Sequence, residues 1–159
     1  MDQQHVEGTS GELGRLVGEW KMTAGPPSEP PWPGEARVRF EWIEGGAFLA
    51  ERWSLNASGL PEGTPTSGTK IYGYDEAHGT YFQLYYDDRG VRRVYQMELR
   101  DGEWTLHREA PPFAQRFRGT VRADGKTISG RWEIRESDEE WRTDFDVTYT
   151  RVDQAARPS

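Results

Sequence analysis

The chain has 159 residues, a formal charge of −7, 30% charged and 13% aromatic residues, and no cysteine. Without cysteine there can be no disulfide, thiolate catalysis or Cys-ligated metal, and the acidic balance argues against a nucleic-acid surface, which needs a basic stripe for the phosphates. The length suits one domain with its own core, and seven Trp, seven Tyr and six Phe supply the buried area that a low apolar fraction lacks.

Residues 1–9 read as a flexible leader. This polar start has no signal-peptide h-region, and no apolar run is long enough to span a bilayer. The expectation is a soluble cytoplasmic protein with no membrane partner. The stretch SGELGRLVGEW predicts a short helix with Ser10 as N-cap and Leu13, Leu16 and Val17 on one side. Beyond it the helical period disappears. Alternating segments separated by turn residues predict ten strands, at about 18–24, 35–44, 47–55, 68–75, 79–87, 91–100, 103–109, 113–122, 126–135 and 140–152. A single β-barrel domain over 10–152 and a flexible tail over 153–159 complete the organisation.

Three turns set registers. Asp101-Gly102 carries the signature of a two-residue type I′ hairpin, which pairs Leu99 with Trp104, Met97 with Leu106 and Tyr95 with Arg108. Asp124-Gly125 reads the same way, setting Val121 against Ile128 and Phe117 against Trp132. Gly45-Gly46 sets Trp42 against Leu49, Phe40 against Glu51 and Val38 against Trp53. On the outer faces Arg116 meets Glu133, while Arg118 meets Arg131, an unfavourable like-charge pair that Asp144 or Asp146 on the last strand would relieve. The connections 23–35 and 56–68 are too long for hairpins and read as spacers or lids. Strand 79–87 carries aromatics on both sides, so its buried face is not set by its own pattern.

Ten antiparallel strands joined by short hairpins predict an all-β, up-and-down barrel, which removes the exposed edges. The residues LVGEW, Leu16 to Trp20, resemble the opening of lipocalins, fatty-acid-binding proteins and nitrobindin-like ten-stranded barrels. The second half, with its segment GRWE and its ending DFDVTYTRV, resembles uncharacterised bacterial lipocalin-like proteins, a domain of unknown function. This resemblance over residues 12–152 implies a calycin barrel with a ligand cavity. Nitrobindin-like proteins hold haem through a histidine on the last strand. Here Asp144, Phe145 and Asp146 stand at that place, so no haem and no other cofactor is expected.

Phosphate-binding, nucleophile-elbow and metalloprotease motifs are missing. DEAH at Asp75 to His78 reads as a turn. His5, His78 and His107 fall on the leader, a turn and an outward face, so no metal is expected. The inward stripe carries Trp53, Trp104, Phe117, Trp132, Trp141 and other apolar residues. It also carries Glu51, Arg93, Tyr95, Arg108, Gln115 and Thr143. A buried unpaired charge costs several kcal/mol, so Arg93 and Arg108 need a carboxylate, water or a ligand. Three readings follow. Glu51 and the arginines form a buried network; or the arginines clamp the anionic group of an apolar or aromatic small molecule; or Glu51 or Tyr95 is the acid or base of a cofactor-free isomerase or cyclase. An interaction protein using the charged outer wall is a further class. Glu51, Arg93, Tyr95, Arg108, Gln115, Trp53, Trp104 and Phe117 are the candidate ligand-binding residues, and the oligomeric state is left open.

Overall fold

Alternation at a period of two dictates ten strands, and the computed structural model, which describes residues 11–137 and 139–152, contains all ten. They are β1 (Gly18–Gly25), β2 (Ala36–Ile43), β3 (Phe48–Leu55), β4 (Ser67–Asp75), β5 (Thr80–Asp87), β6 (Arg92–Arg100), β7 (Glu103–Arg108), β8 (Phe113–Val121), β9 (Thr127–Glu136) and β10 (Arg142–Arg151). Each strand pairs antiparallel with the next, and β1 closes on β10 to complete the barrel. The leader 1–9, the cap Ser10 and the tail 153–159 lie outside the described residues.

The turn registers hold. Leu99 faces Trp104, Met97 faces Leu106, Phe117 faces Trp132 and Phe40 faces Glu51. Asp101 and Gly102 both take positive φ, 54° and 83°, as a type I′ turn requires. At Asp124-Gly125 only Gly125 is left-handed. There the Arg122 N–H donates to the Thr127 carbonyl and the Gly125 N–H to that of Arg122, so a longer connection keeps the same register. The expected N-terminal helix is instead a single 3-10 turn, Leu13–Leu16. Gly14 weakens an α-helix there, and a three-residue repeat places Leu13 and Leu16 together, 3% and 0% exposed.

Because successive strands reverse direction, this turn sits at the barrel end that also carries the connections 44–47, 76–79, 101–102 and 122–126. Gly14 lies beside Trp42 and Arg15 beside Gly102 there. That end is closed. Trp20 packs edge-on against Phe40 and Tyr149, Phe40 lies against Tyr72, and Tyr72 and Tyr149 flank Trp104, with ring centroids 5.9–6.5 Å apart. Phe117 joins Trp104 to Trp132, each at 5.3 Å. The long connections 26–35 and 56–66 lie at the opposite end.

The outer wall of β8–β10 is ionic, as expected. Arg116 Nε donates to Glu133 at 2.6 Å, and Arg131 Nε donates to Asp146 at 2.6 Å. Asp146 is thus the residue that offsets the Arg118–Arg131 opposition. Asp144 is instead the extra residue of a β-bulge between Thr143 and Phe145. The bulge reverses the parity of everything before it. Thr143 therefore faces Glu133 on the outer wall, and Trp141 stacks between the guanidiniums of Arg116 and Arg135, 4.2 and 4.9 Å from its centroid. Both were expected on the inner stripe; the inserted residue moves them out.

Strand β5 turns Tyr81, Gln83, Tyr85 and Asp87 inward and Leu84 and Tyr86 outward, with Gln83 1% and Asp87 0% exposed. Both inward polar residues find partners. Gln83 Nε2 donates to the Tyr72 hydroxyl at 3.0 Å, and Asp87 accepts from Tyr85 and Arg89.

Candidate functional site

Eight-stranded barrels are filled by their own side chains, and wider ones leave room for a ligand. Here the aromatic stack fills the closed half. Toward the opposite end, which we call the mouth, the inward residues are half-buried: Trp53 on β3, Tyr85 on β5, Arg93 on β6, Arg108 on β7, Phe113 on β8, Trp132 on β9 and Phe145 on β10. The Tyr85 and Tyr95 rings meet edge-on at 6.4 Å, Tyr95 and Trp132 at 5.5 Å, and Trp132 stacks on Phe145 at 6.4 Å. Trp32, from connection 26–35, rests on Phe145 at 5.6 Å. Both long connections thus border the mouth.

Arg93 and Arg108 both lean on one ring, with guanidinium carbons 5.3 and 5.6 Å from the Phe113 centroid. Gln115 Oε1 accepts from the Tyr95 hydroxyl at 2.8 Å and from Arg93 Nη1 at 3.3 Å. Arg108 Nη1 donates to the Phe113 carbonyl at 3.4 Å. The hairpin register would set Tyr95 against Arg108, but β6–β7 pairing runs only from Arg100–Glu103 to Gln96–His107. A hollow of about 920 Å³ reaches Arg93 and Arg108 but is lined mainly by the outward residues Thr69, Ile71, Leu84, Tyr86, Arg92 and Val94, so it lies on the outer face of β4–β6 and not inside the barrel. Past His107 the β6 and β7 strands are unpaired with each other. Tyr95 bonds to Gln115 there, and burial raises its pKa, partly offset by Arg93. Its phenol stays protonated at neutral pH.

Glu51 belongs elsewhere. It is fully buried, its Oε1 accepts from the Tyr72 hydroxyl at 2.5 Å, and its Oε2 lies 3.4 Å from Lys70 Nζ. Lys70 is directly across from it on β4. Glu51 is therefore not the counter-ion of the arginines, and the expected single network is two clusters. Burial, then the charge on Glu51, pushes the Tyr72 and Tyr149 pKa values well up, so both remain hydroxyl donors. Trp104 (1% exposed) and Phe117 (3%) lie in the aromatic stack beneath the mouth, not at its rim. Trp53 is half-buried beside Gly68, with its indole Nε1 buried and unpartnered among the described residues.

The sequence pattern missed Lys70, Tyr72, Gln83, Tyr85, Asp87 and Arg89. Asp87 is held hardest. Arg89 Nη2 donates to it at 2.6 Å and the Tyr85 hydroxyl at 2.7 Å. Burial alone would raise its pKa; these bonds outweigh that and bring it to about 2. A carboxyl depressed from 3.8 to about 2 stabilises the fold above its unfolded pKa, and that contribution disappears as pH falls from about 4 through about 2. The expected result for Asp87→Asn is a loss of about 2 kcal/mol at pH 7 that shrinks toward zero near pH 2. Urea melts across that range check it, and a pH-independent difference would contradict the assignment.

The last strand offers no haem ligand of the nitrobindin-like kind. Phe145 is apolar, Asp146 is engaged with Arg131 on the outer wall, and Asp144 sits in the bulge. None is the histidine that nitrobindin-like barrels carry at this place. DEAH is a turn: the Asp75 carboxylate accepts from the Ala77 and His78 backbone N–H groups and lies 2.8 Å from His78 Nδ1.

The barrel has relatives in shape. A crystal structure of Rv2717c from M. tuberculosis matches with a TM-score of 0.56 and 17% identity, covering 91% of this chain and 97% of that one. The S-type phycobiliprotein lyase CPES from Guillardia theta matches with a TM-score of 0.61 and 13% identity, covering 92% of this chain and 93% of that one. The chain shares their barrel. At such identities the similarity shows the barrel fold and nothing finer. No family model matches the chain, and no curated protein matches it either.

Proposed function

We propose that this chain is a small-molecule-binding barrel of the lipocalin-like kind, whose mouth takes an apolar or aromatic molecule bearing an anionic group. One observation carries the reading. Lys70 on β4 and Arg89 in the β5–β6 connection have Glu51 and Asp87 as counter-ions, whereas Arg93 and Arg108 have no carboxylate at ion-pairing distance among the described residues. Two half-buried guanidiniums on one aromatic ring form a donor surface for an oxyanion. Gln115 Oε1 is already occupied, which leaves its amide nitrogen as a further donor. Trp53, Tyr95, Trp132 and Phe145 would hold the apolar body, above a floor of Trp104 and Phe117. Glu51 is sealed beneath and has a structural part. The phycobiliprotein lyase lends this reading its barrel and not its ligand.

Fluorescent probes test it. Anilinonaphthalene sulfonate carries an anionic group on an aromatic body, and phenylnaphthylamine is its neutral counterpart. Arg93→Met keeps much of the stem, so the fold should survive. The sulfonate should bind about 10- to 150-fold more weakly, the range of one charge-assisted hydrogen bond, while the neutral probe is unaffected. Equal losses for the two probes, or none, would rule out the clamp.

A further inference from the structure

Trp32 is 47% exposed, the most open of the seven tryptophans, and it stands at the mouth. Its ring packs against Phe145, and from there the ring contacts continue inward without a break. Centroids lie 5.6 Å apart from Trp32 to Phe145, 6.4 Å from Phe145 to Trp132 and 5.5 Å from Trp132 to Tyr95. Tyr95 in turn shares Gln115 Oε1 with Arg93. An aromatic track thus runs from the arginines across β9 and β10 and out onto connection 26–35. A lone exposed aromatic means little, but this one is held in place. Five prolines among residues 26–33 fix φ along the segment, and two of them flank Trp32. On the β1 side the chain lies directly on Gly25, where a Cβ would come within 2.7 Å of Pro31 Cα, and the Trp32 backbone N–H donates to the Ala24 carbonyl at 2.8 Å. On the β2 side Gly34 takes a φ of 95°, and a Cβ there would meet Ala57 Cβ at 2.7 Å and Leu55 Cδ1 at 2.9 Å. The start of the second long connection therefore braces the first.

We propose that Trp32 is a specificity-determining residue of the binding site: it carries the aromatic wall past the rim and selects an elongated ligand. The anionic group of that ligand lies at Arg93 and Arg108, its first ring lies along Tyr95 and Trp132, and a second ring at its far end stacks on Trp32. The inference rests on the mouth being the binding site and adds the length of the molecule bound there. Because Trp32 is set between two anchors, little conformational entropy remains to be lost when a ligand covers it. A molecule with a single ring system beside its anion falls short of Trp32 and gains nothing from it.

Two probes of different length test it. The linear isomer of toluidinonaphthalene sulfonate has its sulfonate at one end and a second ring at the other, whereas naphthalene sulfonate keeps the anion and the first ring system alone. By calorimetry, Trp32→Ala should weaken the long probe about 5- to 10-fold, the scale of one aromatic contact, and leave the short one unchanged. Trp32→Phe keeps a ring and should restore most of the loss. In protein labelled with fluorotryptophan, the Trp32 resonance, assigned by its disappearance in Trp32→Phe, should shift with the long probe and not with the short one. Arg93→Met, by contrast, should weaken both sulfonates. Equal losses of the two probes in Trp32→Ala, no loss of either, no rescue by phenylalanine, or a Trp32 resonance indifferent to the long probe would overturn this inference and leave the clamp at Arg93 standing. Failure of both probes to bind the unaltered protein would overturn the two together.

Discussion

Replacing Lys70 with methionine should cost about 3–5 kcal/mol of stability, the expected effect of leaving one buried charge without its partner. The Lys70 side chain is 12% exposed and Glu51 is fully enclosed, so water cannot take over from the ammonium. Tyr72 satisfies only Oε1, and Oε2 has no hydrogen-bond partner beyond the ion-pair contact to Lys70. The loss should therefore be reversed by a second change. Glu51→Gln removes the stranded charge, and the double variant should recover most of the stability of the single one. Urea denaturation of the wild type, both singles and the double measures the coupling. A Lys70→Met loss below about 1 kcal/mol would show that Glu51 is hydrated or neutral, and the interior would need to be redrawn.

The second large effect lies at the closed end. Arg151, the last residue of β10, lays its guanidinium over the Trp20 ring at 4.1 Å. Its Nη1 donates to the Val17 carbonyl at 2.6 Å, its Nη2 to that of Arg15 at 2.8 Å, and its Nε to that of Gly125 at 2.8 Å. One side chain thus ties the 3-10 turn, the first strand and the β8–β9 connection together. It also fills space that Gly18 leaves: a Cβ there would come within 2.5 Å of Arg151 Nη1. Trp20 Nε1 donates to the Leu16 carbonyl at 2.8 Å, which fixes the turn from the other side. Arg151→Ala strands three carbonyls and loses the cation–π contact, for an expected loss of about 3 kcal/mol. Arg151→Lys should recover little of it, since one ammonium cannot span three directions. Melts of both variants, with near-ultraviolet dichroism to follow Trp20, test this; full rescue by lysine would mean that charge alone matters.

The mouth and the interior differ in how far they could be read without the fold. Asp101-Gly102 counts out the register of β6 and β7 and so places Arg93, Tyr95 and Arg108 on one inward face. Alternation with Phe113 and Phe117 places Gln115 there too, and the structure brings Arg93, Tyr95 and Gln115 into one hydrogen-bonded group. Lys70 could not be placed this way. The connection 56–66 is too long for a hairpin turn that counts residues from β3 into β4, so nothing local tells β4 which residues face in, and a one-residue slip would send Lys70 outward. Its orientation follows from pairing with β3, where Glu51 and Lys70 fall opposite.

By itself, then, the sequence determined the ten strands, the up-and-down order, three registers and the ionic wall of β8–β9, because alternation and turn geometry act between residues close along the chain. Tertiary structure decided what depends on distant partners. Tyr72 and Arg89 settle the inward face of β5, and the bulge at Asp144 puts Trp141 against Arg116 and Arg135 on the outer wall. Closure of β1 on β10 brings Arg151 onto Trp20 and so helps to plug that end of the barrel. The physical reason is that a strand's own pattern has two faces of nearly equal merit whenever both carry aromatics or charges, and only the neighbour that buries one of them breaks the tie.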